Sequence, residues 1–124
     1  MSEARGYIFV VQMSVDAAHE QSFLEEYDEH VRRLSAVPGV RKVVRAETVR
    51  DTQAYIDAQV VALPSGDIVD YIALYEIDSP DVLTSDAWRD AVDVGNWAVA
   101  VRPFTTDRRH QVVRILQIAE GTSR

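Results

Sequence analysis

The chain has 124 residues, a length that fits one domain, and 47% of them are hydrophobic while 27% are charged, as in globular proteins. Its net charge of −7 opposes binding to nucleic acid or to an anionic membrane surface. The lack of cysteine excludes disulfides, thiolate metal sites and cysteine nucleophiles. Because no apolar segment has the form of a signal peptide or a transmembrane helix, we expect a cytoplasmic protein.

The first part of the chain predicts a strand, a long helix and a second strand. Residues Tyr7–Val15 are rich in β-branched and aromatic side chains, which is typical of a strand. Asp16 is a suitable N-cap for a helix from Ala17 to about Ser35, since apolar residues recur there at helical spacing. A Pro-Gly pair then ends the helix, and valines among charged residues predict a strand over Arg41–Arg50.

The second part of the chain begins with an ambiguous segment, residues 51–67. We expect Val60–Leu63 to pair with Ile68–Tyr71 as a short hairpin around a Pro-Ser-Gly-Asp turn. Ile68–Ile77 is predicted to be a strand. Ser79 and the proline after it predict a helix that ends near Gly95, because serine caps helices and proline suits their first position. Residues 96–107 are expected to be irregular or partly helical, and residues 109–118 predict the last strand.

This order of elements, β-α-β-β-α-β, is typical of the ferredoxin-like α+β fold. Its sheet is antiparallel, with two helices on one face. We therefore predict one domain over residues 1–124, with a core from 7 to 118 and an extended loop or hairpin at 51–67.

Both faces of the predicted sheet carry apolar residues. In the first strand, Phe9 and Val11 point to one side while Ile8 and Val10 point to the other. Two helices cover only one face, so a second apolar layer is needed. The simplest source of that layer is a partner subunit, and we predict a homodimer packed sheet against sheet. The alternative is that residues 51–63 fold over the open face.

Several motifs resemble those of the dimeric α+β barrel superfamily. They are the strand end Val11–Asp16, the helix residues Phe23 and Tyr27–His30 with the turn Val37–Val40, and the later segments Tyr71–Ile77 and Ser79–Trp88. The Tyr-Asp-Glu-His segment of the first helix, Tyr27–His30, is most similar to EthD-like proteins, relatives of antibiotic-biosynthesis monooxygenases. The resemblance implies a dimer with a small-molecule pocket in each subunit, and it spans oxygenases, cyclases, isomerases and haem-degrading enzymes.

His30 is the predicted catalytic residue. It lies three residues after Tyr27 and seven after Phe23, at the edge of the apolar stripe that faces the sheet. Beside Glu26 and Glu29, its side chain is expected to titrate near neutral pH and to act as an acid or base. It also matches the histidine of the family motif. The alternative is a structural histidine held by a neighbouring carboxylate.

Aromatic residues are the predicted walls of the pocket. Tyr27, Tyr75, Trp88 and Phe104, together with Trp97, suit a planar aromatic ligand, although aromatic side chains at these spacings also build ordinary cores.

We expect no metal and no cofactor. Glu26 and His30 lie one turn apart, but no metal-binding motif surrounds them, and the glycines form no phosphate loop. The sequence predicts one basic patch, formed by four arginines: Arg102, Arg108, Arg109 and Arg114. This patch is expected either to bind a carboxylate or phenolate or to neutralise the acidic face of the first helix.

The function predicted from these observations is the binding of a small apolar or aromatic organic molecule by a homodimer. Chemistry of the oxygenase, cyclase or isomerase type without a cofactor would use His30 as acid or base. The alternative function is a non-enzymatic binding or accessory protein in which His30 is structural.

Overall fold

A four-stranded antiparallel sheet forms the centre of the computed structural model, which describes residues 6–95 and 97–122. The strands are β1 (Tyr7–Val15), β2 (Val40–Glu47), β5 (Tyr71–Ile77) and β6 (Thr105–Arg114), in the order β2-β5-β1-β6. Helices α1 (Glu20–Ser35) and α2 (Asp86–Val92) connect them. This topology confirms the predicted ferredoxin-like α+β fold.

Helix α1 begins and faces the sheet as the sequence predicts. The Asp16 carboxylate accepts a hydrogen bond from the backbone N–H of His19 at 3.0 Å, which caps a short 3₁₀ turn before α1. Four side chains of α1 are buried, at helical spacing: Phe23, Tyr27, His30 and Leu34. His30 therefore lies within the buried stripe of the helix and not at its edge.

The second helical region differs from the single helix predicted between Ser79 and Gly95. A 3₁₀ turn over Pro80–Thr84 comes first, and Ser85 then takes an extended conformation with ψ 155°. The Ser85 hydroxyl accepts a hydrogen bond from the Trp88 N–H at 3.2 Å and so caps α2. Serine in mid-segment competes with the helix for its own backbone hydrogen bonds, which explains the break.

The predicted pairing of Val60–Leu63 with Ile68–Tyr71 is wrong. Strands β3 (Thr52–Ile56) and β4 (Gln59–Leu63) pair with each other as a separate two-stranded sheet. The turn between them consists of Asp57 and Ala58, which have φ of 54° and 67°. A two-residue turn with both φ values positive matches the twist of a hairpin, and aspartate tolerates this conformation.

The limits of three strands in the main sheet also differ from prediction. β2 covers Val40–Glu47 and not Arg41–Arg50. β5 begins at Tyr71 and not at Ile68, while β6 covers Thr105–Arg114 and not residues 109–118. Arg114 pairs with Tyr7, the first residue of β1, and the Ile115 N–H donates a hydrogen bond to the Gly6 carbonyl at 3.1 Å. Leu116 and Ile118, predicted as strand residues, are exposed.

The core lies between the helices and one face of the sheet, while the other face is open. On the open face the register places Val10 beside Leu74, and Leu74 beside Val44. A groove of about 210 Å³ follows this apolar row. The β3–β4 hairpin leaves Val44 exposed, and its own Tyr55 is 81% exposed. No helix of the described residues is both long and apolar enough to cross a membrane.

Candidate functional site

A cavity of about 260 Å³ lies between α1, the core face of the sheet and the segment that follows α2. Its walls are largely aromatic, and its few polar groups are two histidines, two arginines and one aspartate. The lining residues that bear on its chemistry are Phe9, Tyr27, His30, Tyr75, Trp88, Asp93, Trp97, Arg102, Arg108 and His110. An apolar pocket with a few convergent polar groups is typical of a small-molecule site.

His30 brings a polar ring to the inner wall of this cavity. Its side chain is 4% exposed, and its ring stacks on the Trp97 indole with 4.6 Å between ring centres and 19° between planes. Within the described residues, Nδ1 of His30 is buried without a hydrogen-bond partner. An unpaired buried polar atom costs about 1–3 kcal/mol, so this nitrogen is a natural contact for a ligand.

The electrostatic surroundings of His30 differ from those predicted. Burial, together with the positive charges of Arg102 and Arg33, lowers the pKa of His30 to about 4. The expectation that neighbouring carboxylates keep its pKa near neutrality is wrong, because Glu29 is exposed and its carboxylate lies 3.7 Å from the Arg33 guanidinium. At neutral pH the ring is uncharged, so one ring nitrogen donates and the other accepts.

The Tyr27 and Tyr75 phenols form the part of the wall next to His30. Both are buried, and burial raises the pKa of each, so both hydroxyls keep their protons at neutral pH. The Tyr27 ring stacks on Trp97 at 4.8 Å, and the Arg45 guanidinium lies over the same ring at 4.7 Å. The predicted wall residues Tyr27, Tyr75 and Trp88 thus come together around one cavity.

Comparison with solved structures identifies the fold. SnoaB, a cofactor-independent oxygenase from Streptomyces nogalater, has a TM-score of 0.59 and 17% identity over 93% of this chain and 97% of its own. MhuD, a heme-degrader from Mycobacterium tuberculosis, has a TM-score of 0.58 and 10% identity over 92% and 99% of the two chains. An EthD family protein from Bacillus halodurans has a TM-score of 0.57 and 11% identity over 89% and 99%. The chain shares its ferredoxin-like α+β fold with these proteins.

These comparisons confirm the predicted resemblance at the level of fold. A scan against protein-family models finds no match, and neither does a search of curated proteins. Because one fold hosts many activities, the chemistry of this protein has to be argued from its own site.

Some of the predicted site residues lie outside the cavity. Phe104 lies outside it and stacks on the His19 ring, with 3.6 Å between ring centres. Of the four arginines, Arg102 and Arg108 line the cavity. Arg109 pairs with Gln12 on the open face, and Arg114 lies over the Tyr7 ring.

The acidic face of α1 is neutralised by other arginines. Arg32 contacts Asp28 at 2.8 Å, and Arg45 reaches the same carboxylate at 3.9 Å. Arg102 instead donates to the Val92 carbonyl at 3.0 Å and to the Asp93 carboxylate at 2.9 Å, which holds the segment after α2 against the cavity. The four predicted arginines therefore form no single patch.

The cavity lining also includes Phe9 and His110, which were not predicted as site residues. The two rings stack at 6.0 Å on adjacent strands, because His110 pairs with Val11 on the core face of the sheet. The alternation of β1 placed Phe9 on this face, but the position of His110 depends on the register of β6. No group of three or more His, Asp or Glu side chains suited to a metal occurs within residues 6–95 and 97–122.

The pKa of His30 predicts a specific loss of stability in acid. Unfolding returns its pKa from about 4 to about 6.5, so the unfolded state binds the extra proton between these values. The contribution of neutral His30 is complete above pH 6.5 and is lost as the pH falls towards 4. We expect acid to destabilise the wild type by about 1–2 kcal/mol more than His30→Leu over this window.

Urea unfolding at pH 7 and at pH 4.5 measures this difference. If the free energy of unfolding changed equally with pH in the wild type and in His30→Leu, His30 would not be the cause of the loss of stability in acid. His110, whose pKa is also lowered by burial, is present in both proteins and cancels in the comparison.

Proposed function

We propose that the cavity binds a small, planar, largely aromatic molecule and that His30 makes its central polar contact. The observation that carries the proposal is the buried, unpartnered Nδ1 of His30 in an aromatic cavity of about 260 Å³. This volume lies just below the range of about 300–1,000 Å³ that is usual for drug-sized ligands. It suits a ligand of one or two fused rings, and a haem, which is larger, is not proposed.

The chemistry that we propose for this site is the removal of a proton by His30. The neutral imidazole accepts a proton from an O–H or an acidic C–H of the ligand, and the electron pair stays on the ligand as a phenolate or enolate. The buried Tyr27 phenol, which keeps its own proton and accepts a hydrogen bond from the Tyr75 hydroxyl, is suited to donate a hydrogen bond to the anionic oxygen. Oxygenation, cyclisation and isomerisation of such molecules can all begin with this step.

A non-enzymatic binding protein is the second candidate function. The His30 pKa of about 4 favours a binding protein, because it makes the imidazole a weak base. Such a base removes a proton from the ligand only if the ligand anion stays beside the imidazolium that forms. In this case His30 would hold the ligand through a hydrogen bond alone.

Binding of 2-naphthol tests the proposed site. The chain has two tryptophans, Trp88 and Trp97, and both line the cavity. We expect 2-naphthol at neutral pH to shift both indole N–H signals in ¹⁵N–¹H spectra and to bind about tenfold more tightly than 2-methoxynaphthalene, which cannot donate a hydrogen bond. Unchanged indole signals at millimolar 2-naphthol would refute the proposed site.

Deuterium exchange separates the two functions. An enzyme that removes protons should accelerate exchange of the acidic C–H of 2-tetralone in D₂O, and His30→Leu should abolish the acceleration. Binding of 2-naphthol without faster exchange of 2-tetralone would favour the binding protein.

We also propose that a second copy of the chain covers the open face of the sheet. The half-buried and exposed apolar residues of that face are Ile8, Val10, Val44, Ile72, Leu74 and Val113. Apolar residues gathered on one face of a sheet are typical of a protein interface, and a symmetric partner offers the same surface in return. The charged residues Lys42 and Glu76 lie among them. We propose a cytoplasmic homodimer on this basis.

A further inference from the structure

Among the residues that the structure describes, Arg108 is the one charged side chain of the cavity lining that makes no ion pair. Within residues 6–95 and 97–122, the ion pairs engage Arg102 with Asp93 and Arg33 with Glu29, and none of them includes Arg108. Its side chain lines the cavity and is exposed at the same time. The guanidinium thus lies at the boundary between the aromatic interior and water.

The register of β6 places Arg108 on the core face of the sheet. His110 pairs with Val11 and Arg109 pairs with Gln12, so Arg108 follows opposite the buried Met13, on the same face as His110, whereas Arg109 lies on the open face. A β-bulge comes directly beside it, because Ser14 pairs with Thr106 and leaves Asp107 as the extra residue, with φ of 53°.

The bulge has an energetic cost, because a residue other than glycine rarely takes a positive φ. Strained residues and bulges occur preferentially beside functional sites. Here the residue next to the bulge is Arg108, which lines the cavity.

The charge balance of the cavity is opposite to that of the chain. The whole protein has a net charge of −7, yet the lining holds two arginines and one aspartate, and the aspartate is bound to Arg102. Burial raises the pKa of Tyr27 and lowers that of His110; the positive charge of Arg108 opposes the first shift and adds to the second, so it acts on both rings. Its field therefore extends into the space that a ligand would occupy.

We propose that the natural ligand carries a carboxylate and that Arg108 binds this group at the mouth of the cavity while the aromatic body reaches His30. This inference rests on the proposed function of the same site. A single guanidinium forms two parallel hydrogen bonds with one carboxylate, so Arg108 can bind a carboxylate without help from another cation. A phosphate dianion would need further donors, so the ligand class is an aromatic carboxylic acid.

The test compares 2-naphthoate with 2-naphthamide, a neutral molecule of nearly the same shape. We expect the wild type to bind 2-naphthoate at least tenfold more tightly, as measured by the indole signals of Trp88 and Trp97. Arg108→Gln should lose about tenfold in affinity for 2-naphthoate and keep its affinity for 2-naphthamide. Arg32→Gln is the matched control, because it removes the same charge from the exposed face of α1.

Three outcomes would overturn the inference in different ways. Binding of neither probe would refute the proposed function itself. Equal binding of both probes to wild type and Arg108→Gln would leave that function standing and refute the carboxylate. An equal loss in Arg32→Gln and Arg108→Gln would show that overall charge, and not contact with Arg108, favours the anion.

Discussion

His30→Leu should bind 2-naphthol about 10–100-fold more weakly than the wild type, because the ligand hydroxyl would be buried without a partner. The same substitution should leave the free energy of unfolding at pH 7 unchanged or raise it. Leucine retains apolar contact with Trp97 and removes a buried nitrogen that has no hydrogen-bond partner within the described residues. A residue that lowers stability and supports binding is typical of a functional site.

Titration of the two indole N–H signals and urea unfolding measure both parts of this prediction. Leu34→Met is the control, since Leu34 lies one turn further along α1, lines the same cavity and has no polar group. It should change the affinity for 2-naphthol by less than threefold. If His30→Leu instead destabilised the fold by 2 kcal/mol or more and kept its affinity, His30 would be a structural residue.

The parts of the fold that the sequence predicted are those determined by local patterns. Tyr7–Val15 and the helix after Asp16 have the expected bounds because strand propensity, a capping side chain and helical spacing all agree there. The hairpin was mispredicted because its turn, Asp57 and Ala58, lacks the glycine that usually marks two positive φ values. The end of β6 was mispredicted because it is set by the start of β1, a contact between distant parts of the chain.

The position of the candidate site could be predicted from the sequence, but the charged groups around His30 could not. Helical spacing alone put Tyr27 and His30 on the buried face of α1. The groups that lower the pKa of His30 could not be found in this way, because Arg102 reaches the cavity from the segment after α2. The register that brings Arg108 to the cavity likewise appears only once β6 is paired with β1.

Leu74→Glu should convert the proposed homodimer into a folded monomer. Leu74 lies near the middle of the open face, with Val10 on one side and Val44 on the other. A glutamate there remains in contact with water in the monomer, but a symmetric interface would bury two copies of it, and Lys42, the lysine of the same groove, already lies beside Glu76 in the strand register. The effective cost of burying an unpaired charge is several kcal/mol, so the dissociation constant of the dimer should rise by at least about a hundredfold.

Light scattering at micromolar concentration should give twice the chain mass for the wild type and the single chain mass for Leu74→Glu. Leu24→Glu is the matched control, because Leu24 is an exposed residue of α1 and makes no part of the open face. It should remain dimeric. A wild type with the mass of one chain would refute the homodimer, and a Leu74→Glu variant that stays dimeric would place the interface elsewhere. Circular dichroism that matches the wild type would show that the monomer is folded, since Leu74 makes its strand contacts within one subunit through the backbone of β5.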